Sequence, residues 1–173
     1  MTNKYFLLKS IDDTFNLAKK ITSIIDQKSV ILLNGDLGVG KTTLAKNIIK
    51  LYLENEDLII TSPSFNIINE YIDNNIHIDN SKERNKKSFI HCDLYRLNNK
   101  EEIIQIGLID LIYQEISPII IEWPEIIKDY INNIKKDRII DITISFNSFD
   151  DTKIDNNYEL EDRSVLIKSY YIL

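Results

Sequence analysis

Apolar residues recur in two rhythms along this chain, and the rhythms take turns. KYFLLKS (4–10) has the composition of a short strand. Ser10-Ile11-Asp12-Asp13-Thr14 then opens a helix, because Phe15, Leu17, Ala18, Ile21, Ile24 and Ile25 follow at helical spacing. SVILLN (29–34) is a continuous apolar run, the pattern of a strand covered on both faces in a parallel sheet. Helical spacing returns over residues 42–54 through Leu44, Ile48, Leu51 and Tyr52. DLIITSPSF (57–65) carries a short apolar run into a Ser-Pro turn, and FNIINEYI (65–72) reads as a strand. SFIHCDLYRL (88–97) starts as a strand, and NKEEIIQIGLIDLIYQEI (99–116) reads as one helix with acids in its first turn. SPIIIEWPE (117–125) is a second buried-strand pattern, EIIKDYINNI (125–134) a short helix, and RIIDITISF (138–146) a half-buried alternating strand. The tail predicts a strand near Tyr158 and a further strand or helix near Val165.

Strands alternating with helices imply an α/β three-layer sandwich around a mainly parallel central sheet, with antiparallel additions toward the C-terminus. The length of 173 residues and the 43% hydrophobic content suit one domain over 1–173. Residues 73–87, DNNIHIDNSKERNKK, break the pattern; they are polar and charged, and predict a surface hairpin or insertion. The net charge of -6 argues against a uniformly basic nucleic-acid surface. The single cysteine, Cys92, excludes an internal disulfide and fits a reducing compartment. No stretch approaches the ~20 apolar residues of a membrane helix, and MTNKYFLLKSIDD lacks a leader's apolar core and cleavage site. A cytoplasmic location is the expectation, with neither membrane nor DNA as partner.

The chemistry concentrates in NGDLGVGKTT (34–43). Gly35-Asp36-Leu37-Gly38-Val39-Gly40-Lys41-Thr42 matches G-x-x-x-x-G-K-[ST], the phosphate-binding loop, and Thr43 follows it. Glycines let successive backbone N–H groups turn inward toward phosphate oxygens, and the helix that follows brings its positive end. Lys41 reaches the β- and γ-phosphates, and the Thr42 hydroxyl takes one position on Mg²⁺. Short matches of this kind arise by chance, but a buried strand precedes this one and an amphipathic helix follows. Three of the four glycines of the chain lie in it. The expected fold is therefore of the P-loop NTPase type.

Phosphoryl transfer also needs an acid near the metal and a group that orients the attacking water. Glu122 ends the run Ile119-Ile120-Ile121, and Asp93 follows Phe89-Ile90-His91-Cys92. Both stand at the carboxyl ends of expected strands, where α/β sheets hold ligands. A surface acid at a strand end is the plain alternative for either alone. Trp123-Pro124 reads equally as a core cap at a rigid turn or as a ring over the nucleotide site. His91 alternates with apolar neighbours and reads as structural, His77 as solvated. Arg96 reads as a phosphate clamp or as the partner of Glu101 or Glu102, and Thr14 as the start of the first helix.

Rival classes leave traces of their own. Thr152-Lys153-Ile154-Asp155 spells a guanine-reading motif, but no buried strand precedes it and no D-x-x-G stands at a suitable distance. A small-molecule kinase usually carries an Arg-rich lid, and KERNKK (82–87) has a single Arg. A nucleotide-gated binding module with little turnover is the other alternative.

GDLGVGKTT, TSPSFNIINEY, HCDLYRL and IEWPE occur in this order. Together they resemble the TsaE (YjeE) family, the bacterial ATPase of tRNA threonylcarbamoyladenosine formation, over about residues 4–146. Ser62-Pro63-Ser64-Phe65 departs mildly from the family's S-P-T-F, and 73–87 is longer than its usual hairpin. The resemblance implies ATP and Mg²⁺ as ligands, Thr42 and Glu122 at the metal, and Asp93 as a residue needed for hydrolysis. It places Thr14 near the adenine. It further implies TsaD and TsaB as protein partners, with tRNA met indirectly through that complex.

Overall fold

The computed structural model describes residues 2–73, 87–146 and 162–171. Its strands are β1 (Thr2–Leu8), β2 (Val30–Asn34), β3 (Ile68–Ile72), β4 (Ser88–Asp93), β5 (Ile119–Glu122), β6 (Ile139–Phe146) and β7 (Arg163–Ser169). They form one sheet in the order β1-β7-β6-β2-β5-β4-β3. The inner four, β6, β2, β5 and β4, run parallel, while β7, β1 and β3 pair antiparallel at the flanks. Antiparallel strands thus stand on both sides, beyond the C-terminal additions that the pattern predicts. A strand needs only to complete the hydrogen bonds of its neighbour, and β1 and β3 reach theirs through the N-terminus and a hairpin.

The parallel strands are covered on both faces, as their unbroken apolar runs require. One face packs α1 (Ile11–Thr22) and α2 (Lys41–Tyr52), burying Leu17, Ile21, Leu44 and Ile48 against Ile31, Leu33, Phe89 and Ile120. The other packs α3 (Lys100–Gln105) and α4 (Leu108–Gln114), burying Ile103, Leu108 and Ile112 against Leu32, Ile90 and Ile121. These are the three layers. Ser10 caps α1, accepting from Asp13 N at 3.1 Å, so Thr14 lies one turn inside the helix and does not begin it.

Two local differences from the sequence pattern have clear causes. The run 99–116 forms two helices, because Gly107 sits at φ 71° and ends the first before Leu108 starts the second. The EIIKDYINNI segment is a 3₁₀ turn, Pro124–Ile127, continued by one turn of α5 (Lys128–Ile131). The polar segment is bracketed by β3 and β4, whose ends Asp73 and Lys87 meet through a 2.9 Å backbone bond. The residues between them lie outside the described residues, as do His77, the expected strand near Tyr158 and the Thr152-Lys153-Ile154-Asp155 match.

Phe89 is fully buried at the centre of the first layer, edge-on to Tyr52 at 5.2 Å between ring centroids. Phe65 is 85% exposed. Phe89→Ala is expected to cost about 3–5 kcal/mol through lost burial and a residual cavity. Phe65→Ala is expected to leave the unfolding midpoint close to that of the parent. Urea denaturation of the two variants beside the parent checks the contrast.

Candidate nucleotide-binding site

The site forms where β2, β4 and β5 end side by side. β2 leaves the sheet at Asn34 and turns through residues 35–40 into α2. The turn depends on backbone that a side chain would obstruct. Gly35 has φ 133°, and a Cβ there would lie 2.1 Å from the Ile144 carbonyl oxygen. Gly40 caps α2 at φ 108° with no side chain to occupy the first N–H groups. α1 begins with a serine cap and two acids, whereas the first turn of α2 carries no acid at all. The start of α2 is thus left positive and open, as an anion site requires.

Lys41 is 4% exposed. Its Nζ donates to the carbonyls of Gly35 at 2.7 Å and Asp36 at 2.8 Å, and lies 3.8 Å from the centroid of the Trp123 ring. Burial pulls the ammonium below its usual range, and Glu122, Asp93, Glu125 and Asp36 push against that fall. Trp123 adopts φ 58° directly after β5 and leans on Tyr95 at 4.9 Å. Its ring both packs on the second layer and covers the phosphate-loop lysine, so the two readings of the Trp123-Pro124 turn are both realised.

Parallel pairing sets Asp93 beside Glu122 in register. Glu122 is 2% exposed, and each of its oxygens has a partner. Thr42 Oγ1 donates to Oε2 at 2.9 Å, and His91 Nε2 meets Oε1 at 2.8 Å. Asp93 Oδ1 accepts from Tyr95 N at 3.1 Å. Burial raises the Asp93 carboxyl above its usual range, and the charge of Glu122 adds to that; the Tyr95 N–H, His91 and Lys41 oppose it.

The expected residues fall into one neighbourhood. Lys41, Thr42, Glu122 and Asp93 converge at the strand ends. Thr14 and Thr43 line a cavity of about 260 Å³ with Leu8, Gly38, Gly40 and Arg163, beside the loop. Leu37 is 70% exposed, and Val39 is buried beneath the loop. Arg96 pairs with neither Glu101 nor Glu102; its guanidinium lies 4.8 Å from the Phe65 ring centroid. The donor set fits Mg²⁺ in outline, since that ion takes one or two protein oxygens and fills its remaining positions with water and phosphate. Among the described residues no cluster of three metal-binding side chains exists, so phosphate oxygens would have to complete the shell.

Two contacts escape a reading of the sequence. His91 is structural in its burial, as its alternation predicts, but its hydrogen bond to Glu122 crosses 31 positions. Arg163, the first residue of β7, donates from Nε to the Val39 carbonyl at 2.9 Å. It ties the last strand to the phosphate loop across 124 positions, and nothing local in DRSVLIK signals that.

A glycine-built turn from a buried parallel strand into an uncapped helix, with a buried lysine and two strand-end carboxylates, defines a nucleotide-binding α/β protein of the P-loop NTPase class. The comparisons resolve the family. The model described as "Threonylcarbamoyl adenosine biosynthesis protein TsaE" matches residues 8–154, and the chain belongs to that family. The protein from Rickettsia bellii named tRNA threonylcarbamoyladenosine biosynthesis protein TsaE is 39% identical over 128 residues, covering 74% of this chain and 79% of that one. Its namesake from Aquifex aeolicus is 33% identical over 114 residues, covering 65% and 77%. In three dimensions the chain is similar to the crystal structure of Bacillus subtilus YdiB, with a TM-score of 0.62 over 96% of this chain and 84% of that one, at 21% identity. The family's role lies in tRNA threonylcarbamoyladenosine biosynthesis.

The raised Asp93 carboxyl has a consequence for stability. A carboxyl raised on folding holds its proton more tightly in the native state. It therefore costs nothing below the unfolded value of 3.8, and its cost grows as pH rises through the folded value. The full cost is present at neutral pH. Asp93→Asn cannot ionise and keeps an oxygen for Tyr95 N. Without Mg²⁺ and nucleotide, the variant is expected to melt higher than the parent at pH 7.5, with the gain shrinking as pH falls toward 3.8. An equal or lower melting temperature at pH 7.5 contradicts this.

Proposed function

We propose that this protein is a Mg²⁺-dependent ATPase that supports turnover of the TsaB–TsaD transferase complex in forming tRNA threonylcarbamoyladenosine. It is slow alone and stimulated by those partners, and it meets tRNA only through them, in the cytoplasm. The observation that carries the reading is the 2.9 Å contact between Thr42 of the phosphate loop and the buried Glu122 carboxylate. That pair joins a phosphate cradle to an acid that serves the metal. The alternatives, a small-molecule kinase and a binding module with little turnover, lack a comparable feature.

Each residue has a task that its chemistry permits. The N–H groups at the start of α2 and the Lys41 ammonium hold the phosphates, with Lys41 exchanging its carbonyl partners for phosphate oxygens. Thr42 offers a lone pair to the metal while its proton stays on Glu122, since a hydroxyl both donates and accepts. Asp93 orients the attacking water, helped by a proton affinity that burial has raised. Thr14 and Thr43 flank the nucleoside in the cavity beside the loop. Bound Mg²⁺ neutralises charge on the transferring phosphoryl group.

Lys41→Ala is expected to weaken ATP binding in calorimetry. Glu122→Gln and Asp93→Asn are expected to bind ATP nearly as the parent does. Both should lose on the order of 10²-fold or more in phosphate release, measured with TsaB and TsaD present. Unchanged release from both folded variants overturns the roles assigned here. A phosphorylated small-molecule product would favour the kinase.

A further inference from the structure

We propose that His91 is a positioning residue that holds the Glu122 carboxylate in its metal-serving orientation, an inference that rests on the reading of Glu122 above. His91 is fully buried on β4, one strand away from Glu122, and its Nε2 lies 2.8 Å from Oε1. An ionised carboxylate only accepts, so the ring carries its proton on Nε2. That leaves Nδ1 facing the core, and Nδ1 is the buried side-chain polar atom without a partner among the described residues.

A buried polar atom left unpaired costs stability, and a leucine or phenylalanine would fill this space without that cost. The polar ring is therefore kept for what its other nitrogen does. Glu122 otherwise has the Thr42 hydroxyl alone, and Thr42 belongs to the loop that must rearrange around phosphate. His91 sits on a central strand, pinned between β3 and β5, and does not depend on the loop. It fixes the far oxygen, so that Glu122 keeps its rotamer while the near oxygen serves Thr42 and the metal. Partners of this outer kind commonly govern metal affinity by about 10–100-fold.

Two polar substitutions separate this from simple core filling. The amide nitrogen of Gln reaches the place of Nε2, whereas that of Asn stops near Nδ1. Calorimetry of ADP and ATP binding, titrated with Mg²⁺ and repeated in EDTA, is the readout. His91→Asn is expected to raise half-saturating Mg²⁺ by about 10–100-fold and leave affinity in EDTA unchanged. His91→Gln is expected to restore most of the Mg²⁺ response. Adding His91→Asn to Glu122→Gln should produce no further rise, because His91 acts only through that carboxylate. Equal Mg²⁺ responses for Asn, Gln and parent overturn the proposal, as does a loss in EDTA equal to that with Mg²⁺. If Glu122→Gln itself leaves the Mg²⁺ response unchanged, the reading of Glu122 falls first. If Glu122→Gln shifts the response and His91→Asn does not, only the role of His91 falls.

Discussion

A carboxylate out of water must be held, and Glu122 sets that demand on the whole sheet. Its charge is nearly inaccessible to solvent, and both oxygens rely on partners from other elements. An uncompensated buried charge would cost several kcal/mol, so the elements that supply those partners are bound to one arrangement. β4 must lie beside β5 in register for His91 to reach one oxygen. β2 must lie on the other side, so that the loop after it brings Thr42 to the second. The parallel order β2-β5-β4 is the geometry that meets both conditions.

The loop answers a different constraint. It has to present N–H groups without a ligand to organise it. Gly35 passes so close to the Ile144 carbonyl that no side chain fits, which locks the entry of the loop against β6. Lys41 is held meanwhile by two carbonyls of its own loop and by the Trp123 face. These contacts keep a buried ammonium compensated until phosphate replaces them. The left-handed backbone at Trp123 places the ring there, and the Tyr95 contact supports it. A strained residue beside a binding loop is where such strain is usually stored. Burial of Asp93 is of the same kind, since it raises proton affinity in a carboxyl that a merely stable protein would leave in water.

Much of the fold was legible because its signals are local. SVILLN and SPIIIE are apolar throughout, since a strand covered on both faces has no polar side to show. The glycines and lysine of 35–42 stand at fixed spacing, since the curl of the loop is a property of consecutive residues. Glu122 and Asp93 stood out as acids closing apolar runs. The helix over 99–116 was legible in kind but not in number, because Gly107 can be tolerated within a helix or end it, and packing decides.

The sequence by itself determined which segments are strands and helices, where phosphate is held, and which two acids stand nearest. Tertiary structure alone decided the order of the strands, since backbone donors and acceptors are alike in every residue and carry no address for a neighbour. It also decided the antiparallel placing of β1 and β3, the grip of His91 on Glu122, and the reach of Arg163 to Val39. Those contacts join residues 31 and 124 positions apart. Periodicity reports only which face a residue turns to the core, and what it meets there is fixed when the layers close.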